Sequence, residues 1–293
     1  MSSTDPAPDL DAGIQYWANQ PANYDGVLGG FGTGPLPRVD AAGSRRFLLD
    51  LLPELCTVPS PFQSLSTHPS DTKRVRALDV GAGVGRITSD VLLHLVSDVA
   101  LVEPVESFIE EARSRGKASE SGAEFNESGY RVSWKGIADR SKSVTFFKGA
   151  LQTFDPAAPG TPLDRVGCLP PDGDGNTESK FDVIWCQWCL GHLKDDDLVR
   201  FLERSKMALR DAKSLIVVKE NLCAEPKNEP TTVFDEEDSS FTRSDLAFKK
   251  IFQDAGLEIV CEKIQHGLPN GLYPVKMYAP VISLNFLSVL TRI

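Results

Sequence analysis

The chain has 293 residues, 41% of them hydrophobic and 25% charged, with 41 acidic against 31 basic side chains for a formal net charge of −10. Such a chain is long enough to bury a full core, and none of its segments approaches the roughly 18 consecutive apolar residues of a membrane span. The Asp- and Pro-containing start lacks the basic-then-apolar layout of a signal peptide, and the acid excess opposes binding to a phosphate backbone; membrane and nucleic-acid partners are therefore set aside, a cationic partner is expected, and the location expected is cytoplasmic or nuclear.

In chain order, residues 1–10 read as a flexible tail and 11–293 as a single domain. An N-terminal helical extension over 11–55 opens with Ile14-Gln15-Tyr16-Trp17 and passes through the glycine-rich Leu28-Gly29-Gly30-Phe31-Gly32. Asp40 is read as the cap of a helix whose apolar positions Phe47, Leu48, Leu51 and Leu52 follow a helical period until Pro53. Residues 56–73, rich in Ser, Thr and Pro, read as a linker.

From Arg76 strands alternate with helices, which predicts an α/β fold with a parallel sheet covered on both faces. The strand candidates are 76–80, 98–103, 144–148, 181–186, 214–219, 258–264 and 273–279; helices are expected at 86–96, 105–115, 196–210 and 245–255, the last closed by Gly256. Two stretches, 116–143 and 156–179, read as surface insertions. Asp172-Gly-Asp174-Gly-Asn176 resembles the start of a calcium loop but fails at Thr177 and Val183, Cys186 and Cys189 have no second pair at zinc-site spacing, and no metal is expected. The six cysteines read as reduced thiols, and the sequon Asn126-Glu127-Ser128 as idle.

Gly81-Ala82-Gly83-Val84-Gly85 turns from the first strand into a helix, where the backbone approaches a ligand closely and the helix start offers free N–H groups. It lacks the third-glycine spacing of the dinucleotide fingerprint, which favours a nucleoside with an amino-acid tail over a pyrophosphate. Glu103 ends the next strand about 20 residues on, placed to accept bonds from ribose hydroxyls. Arg86 begins the helix and is a candidate partner for the tail's carboxylate. Leu151-Gln152 and Gln187-Trp188 follow the third and fourth strands, at the carboxyl ends where open α/β sheets bind ligands.

These motifs resemble the protein alpha-N-terminal methyltransferases, which modify amino termini beginning X-Pro-Lys. The resemblance runs from about Tyr16 to Ala279 outside the two insertions. It rests on Tyr16-Trp17 with Asp25-Gly26-Val27-Leu28-Gly29-Gly30-Phe31-Gly32, on Gly81 to Thr88, on Asp182 to Leu193, on Lys219-Glu220-Asn221, on Asp235 to Ser240 and on Leu272-Tyr273. It implies a Rossmann-like, seven-stranded S-adenosylmethionine-dependent methyltransferase fold and assigns Trp17, Gly81, Gly83, Arg86, Glu103, Pro104, Val105, Leu151, Gln152 and Gln187 to the cofactor. Leu28, Trp188, Asn221, Asp235, Ser240 and Tyr273 fall on the substrate site, with Asp238 and His192 as catalytic groups. The implied partners are proteins beginning X-Pro-Lys or X-Pro-Arg after methionine removal. Glu103 stands where the family more often has Asp, and Phe31 where Tyr is common. An α-amine is partly neutral at physiological pH, so modest base assistance suffices: Asp238 can hold the ammonium and accept its proton, with His192 as relay or second base. A small-molecule N- or O-methyltransferase, which would have a closed apolar pocket, and a non-catalytic binding protein that retains the cofactor stay open as alternatives.

Overall fold

The computed structural model describes residues 6–56, 74–122, 133–168 and 180–282. The linker expected at 56–73 and the loop with the calcium-like motif fall almost wholly outside the described residues, as does the sequon.

Strands β1 (Arg76–Val80), β2 (Asp98–Glu103), β3 (Ser143–Lys148), β4 (Asp164–Gly167), β5 (Val183–Gln187), β6 (Leu215–Asn221), β9 (Leu257–Gln265) and β10 (Val275–Ile282) form one sheet in the order β4-β3-β2-β1-β5-β6-β10-β9. The strands from β3 to β6 pair in parallel, whereas β4, β10 and β9 pair antiparallel with their neighbours. Every residue of β1 and β5 is buried, as a parallel sheet sandwiched between helices requires. The two-residue period then divides each strand between two cores. Ala77, Trp185, Val217 and Met277 pack with α3 (Leu36–Leu51) on one face. Leu78, Ile184, Cys186, Val218 and Tyr278 pack with α6 (Asp195–Met207) and α7 (Asp245–Asp254) on the other.

All seven expected strands form, and Gly256, at φ +66°, follows α7 where a left-handed residue was foreseen. The eighth strand, β4, arises inside the stretch 156–179 that was expected to be a surface insertion, with Val166 buried against the sheet. The stretch 116–143 is likewise no surface loop at its ends: α5 (Glu106–Ser121) runs into it, and Trp134 and Ile137 are fully buried, Trp134 stacking on Phe146 at 6.0 Å. Its aromatic and aliphatic residues are too sparse for a period, so the sequence conceals them. The acidic loop holds a second, two-stranded sheet, β7 (Thr232–Asp235) with β8 (Ser240–Arg243).

Within the stretch 1–10 expected to be a tail, Pro8 is buried and Asp9 caps α1 (Leu10–Ala18) by accepting from Ala12 N–H. A one-turn α2 (Tyr24–Val27) leads to α3. Asp40 is not the cap of α3; the helix starts at Leu36, because Pro37 falls in the first turn, where its missing N–H is not needed. Asp40 is instead wholly buried on the face that α3 turns to the sheet.

Replacing Trp134 with Ala should lower unfolding free energy by about 3–5 kcal/mol, as for other large aromatic side chains removed from a core. Urea unfolding followed by circular dichroism checks it; a change within about 0.5 kcal/mol would return this segment to the surface.

Candidate active site

The carboxyl ends of β1, β2 and β5 open into a cavity of about 130 Å³. Gly81, Gly83, Glu103 and Arg86 line one wall; Leu151, Gln152 and Gln187 line another; Trp17 of α1 roofs it. Pro104 and Val105 complete the lining, so all the residues assigned to the cofactor are gathered in this one place. Gly81, Gly83 and Gly85 have φ of +60°, +55° and +75°, which glycine adopts without the cost another residue would meet. A Cβ on Gly81 would also lie 2.4 Å from Cβ of Cys189, and one on Gly85 2.9 Å from the Trp134 ring.

Glu103 is held by main-chain donors. Gly83 N–H donates to Oε2 at 2.8 Å and Val105 N–H to Oε1 at 2.9 Å. A carboxylate offers about four acceptor positions, so two stay available to hydroxyls of a ligand. Burial pushes the carboxyl up to about 7 from its ordinary 4.5, against the pull of those two N–H groups. The cavity therefore joins an acceptor aimed at hydroxyls to glycine backbone and the start of the helix after β1. That helix relaxes into a π turn over Thr88–Leu92, and Asp79, also in the lining, accepts from both N–H and Oγ of Thr88.

Arg86 is buried, and its Nη1 lies 2.6 Å from Asp40 Oδ2 while its guanidinium stacks on Trp188 at 5.3 Å. Lys219 Nζ lies 2.6 Å from Asp40 Oδ1, and Gln187 Nε2 donates to both oxygens at 2.9 and 3.0 Å. Burial would raise the Asp40 carboxyl, but Arg86 and Lys219 outweigh it and hold it below its ordinary value. Asp40 is the largest omission of the sequence reading. Its signal lay in the helical stripe Leu36, Asp40, Ser44, Phe47, which places a carboxylate on a face bound for the core.

A second cavity of about 320 Å³ adjoins the first and shares Trp17, Val27, Trp188 and His192 with it. Leu28, Asn221, Ser240 and Tyr273, assigned to the substrate, line it together with Asp238. Asp235 does not; it is the exposed last residue of β7, where its carboxylate accepts from Glu237 N–H at 2.9 Å. Lys219 is committed to Asp40 and lies outside both linings.

Two buried charges, neither foreseen, position the shared wall. Glu220 Oε1 accepts from Cys189 N–H and Leu190 N–H, each at 3.0 Å. Arg243 of β8 donates to the carbonyls of Leu190 and Leu193 at 3.0 and 2.5 Å. The short turn Leu190–His192 is thereby clamped to β6 on one side and to the β7–β8 hairpin on the other, which brings His192 beside Asp238. Trp188 enters the turn at φ +54°, a conformation that costs a non-glycine residue about 1–2 kcal/mol. Trp188 Nε1, His192 Nδ1 and Asp238 Oδ1 are all buried without a hydrogen-bonding partner. Because Trp188 and His192 line both cavities and Asp238 lines the second, these three atoms, unlike the equally unpartnered Trp134 Nε1 in the core, are open to a polar ligand group. No helix among the described residues is long and apolar enough to cross a membrane, and no group of His, Cys, Asp and Glu among them is arranged to hold a metal.

A family model described as AdoMet dependent proline di-methyltransferase matches residues 7–281. Alpha N-terminal protein methyltransferase 1 of Schizosaccharomyces pombe is 35% identical over 94% of this chain and 98% of its own length. N-terminal Xaa-Pro-Lys N-methyltransferase 1 of Mus musculus is 32% identical over 90% of this chain and 91% of its own. A solved SAM-dependent methyltransferase from Leishmania major superposes with a TM-score of 0.62 at 30% identity, over 92% of this chain and 82% of that one.

The raised Glu103 carboxyl fixes a sign for stability. Between its ordinary 4.5 and about 7 the folded chain keeps a proton that the unfolded chain has released, so the folded state should lose stability as pH rises through that window. Glu220, pushed up by burial to about 7, and Asp79, to about 6, act in the same direction. Urea unfolding from pH 5 to 8 should show Glu103→Gln with a smaller loss across the window than wild type; equal losses would mean that Glu103 is ionised throughout.

Proposed function

Because the chain belongs to the AdoMet-dependent proline di-methyltransferase family, we propose that it methylates the free α-amine of proteins that begin X-Pro-Lys or X-Pro-Arg once methionine is removed. It is a methyltransferase that uses S-adenosylmethionine, whose sulfonium supplies an electrophilic methyl group. The observation that carries the substrate reading is the shared wall of Trp17, Val27, Trp188 and His192, where a cavity suited to a nucleoside meets a second one bearing an unpartnered carboxylate.

The chain's own groups divide the work by position. Glu103, Gly83 and Arg86 would hold the donor, with Glu103 accepting from ribose hydroxyls and Gln152 fixed by its bond to the His192 carbonyl at 3.0 Å. Asp238 Oδ1, buried and free of protein donors, is suited to receive an ammonium, orient it and take its proton. Trp188 offers an indole face to a prolyl ring and an unused Nε1–H to a peptide carbonyl. Asn221 and Ser240 add short polar groups for the peptide main chain. Asp235, at the end of β7, and Glu236 and Glu237, in the turn that leads to Asp238, are exposed, and their charge favours a basic third residue. A small-molecule methyltransferase would want a closed apolar pocket, whereas Glu220, Asn221, Asp238 and Ser240 line this one.

Mass spectrometry of an X-Pro-Lys peptide incubated with enzyme and S-adenosylmethionine should show methylation at the α-amine. The same peptide acetylated at that amine should be inert, and a third-position Glu should nearly abolish turnover. Methylation of the blocked peptide on its Lys side chain would overturn the α-amine reading. Asp238→Asn should lower single-turnover rates by about 10²-fold or more while calorimetric affinity for S-adenosylmethionine stays near wild type. Full activity in Asp238→Asn would remove Asp238 from the chemistry.

A further inference from the structure

We propose that Trp17 is a positioning residue that fixes His192 as the neutral Nδ1–H tautomer, so that Asp238 and not His192 takes the proton of the substrate amine. Trp17 Nε1 donates to His192 Nε2 at 2.9 Å, and the two rings meet edge to face at 6.2 Å and 87°. An indole nitrogen can only donate, so Nε2 must be the accepting nitrogen of the imidazole. A neutral imidazole has one donor and one acceptor, and its proton therefore resides on Nδ1. Protonating Nε2 would set two N–H groups against each other across that distance and forfeit the bond.

Nδ1 faces the turn between β7 and β8. A Cβ placed on Gly13 would lie 3.1 Å from Nδ1 and 3.5 Å from the Asp238 carbonyl oxygen, so α1, the imidazole and the turn converge on one point. The groups that face the ring are Trp17 and Gly13 of α1 and Asp238 and Ser239 of the turn. Burial drives the imidazole below its ordinary value, and the opposing pull of Asp238 and the Ser239 main chain does not make up the difference. His192 is thus neutral, with its one lone pair already engaged by Trp17. The junction then holds one buried donor, Nδ1–H, drawn by the Ser239 main chain but making no full hydrogen bond, and one buried acceptor, Asp238 Oδ1, that no protein donor reaches. When an ammonium enters, its N–H bond breaks, the electron pair stays on nitrogen, and the proton bonds to the Asp238 carboxylate. Nδ1–H contributes a hydrogen bond to acceptors at that junction and receives nothing.

The kinetic part of this inference rests on the α-amine reading above; the spectroscopic part does not. The experiment is nitrogen-15 NMR of the histidine rings in the full chain, which has four histidines, with the His192 signals assigned by their loss in His192→Asn. The expected wild-type result is a protonated Nδ1 and an unprotonated Nε2. In Trp17→Phe, which keeps a ring but removes the donor, this tautomer preference should weaken and the imidazole should titrate at higher pH. An Asn amide reproduces the Nδ1–H donor but cannot act as a base. His192→Asn should therefore lose about tenfold less in kcat than His192→Leu, with KM for an X-Pro-Lys peptide similar in the two. A wild-type ring protonated on Nε2, or equal kcat losses in His192→Asn and His192→Leu, would overturn the proposal. If wild type methylates no such peptide, the substrate reading fails while the NMR result still decides the tautomer.

Discussion

One buried carboxylate holds the site together. Asp40 lies on α3, outside the sheet, yet it is bonded to Arg86 at the start of the helix after β1, to Gln187 at the end of β5 and to Lys219 in β6. Removing one partner from such a cluster leaves uncompensated buried charge, at a cost of about 3–5 kcal/mol. The N-terminal extension is therefore joined to the catalytic floor by charge as well as by apolar contact. Arg86, which lines the first cavity, and Gln187, beside it, take their orientation from a residue that touches neither cavity.

The same device recurs at each functional group. Glu103 is fixed by two main-chain donors, Glu220 fixes the Cys189–Leu190 main chain, and Arg243 fixes the carbonyls on either side of His192. Groups oriented before the substrate arrives need no reorganisation during the reaction, which is where most electrostatic advantage in enzymes originates. Of the buried polar atoms left without partners among the described residues, those of Trp188, His192 and Asp238 are the ones that line the cavities. They sit together where the two cavities meet, with the Asp238 carboxylate free to receive a cation.

Much of this was legible in the sequence because local patterning carries it. The strands β1 and β2 have the expected bounds, 76–80 and 98–103, and Glu103 is found by counting from Gly81 along a strand–turn–helix–strand unit. What escaped were features that depend on residues far apart in the chain. Asp40 reads as a cap when only its neighbours are considered; its partners lie 46, 147 and 179 residues away. Trp134 and Val166 gain their burial from β2, β3 and α5, and no short window predicts it. The resemblance assigns Asp235 and Asp238 to one site, but Asp235 ends β7 and is exposed, whereas Asp238, in the turn that follows, lines the cavity. Arg243 was passed over because an Arg closing a polar segment is ordinarily solvated, whereas here it is wholly buried.

The left-handed backbone of Trp188 has an evolutionary consequence. Glycine there would relax the main chain at φ +54°, but it would delete the indole that lines both cavities and stacks on Arg86. Asn or Asp would ease the backbone as well, and a bulkier residue would keep the penalty, but none of them supplies the indole. Random drift at this position thus meets a barrier in every direction: a few substitutions trade function for comfort, and the rest give up function for no relief.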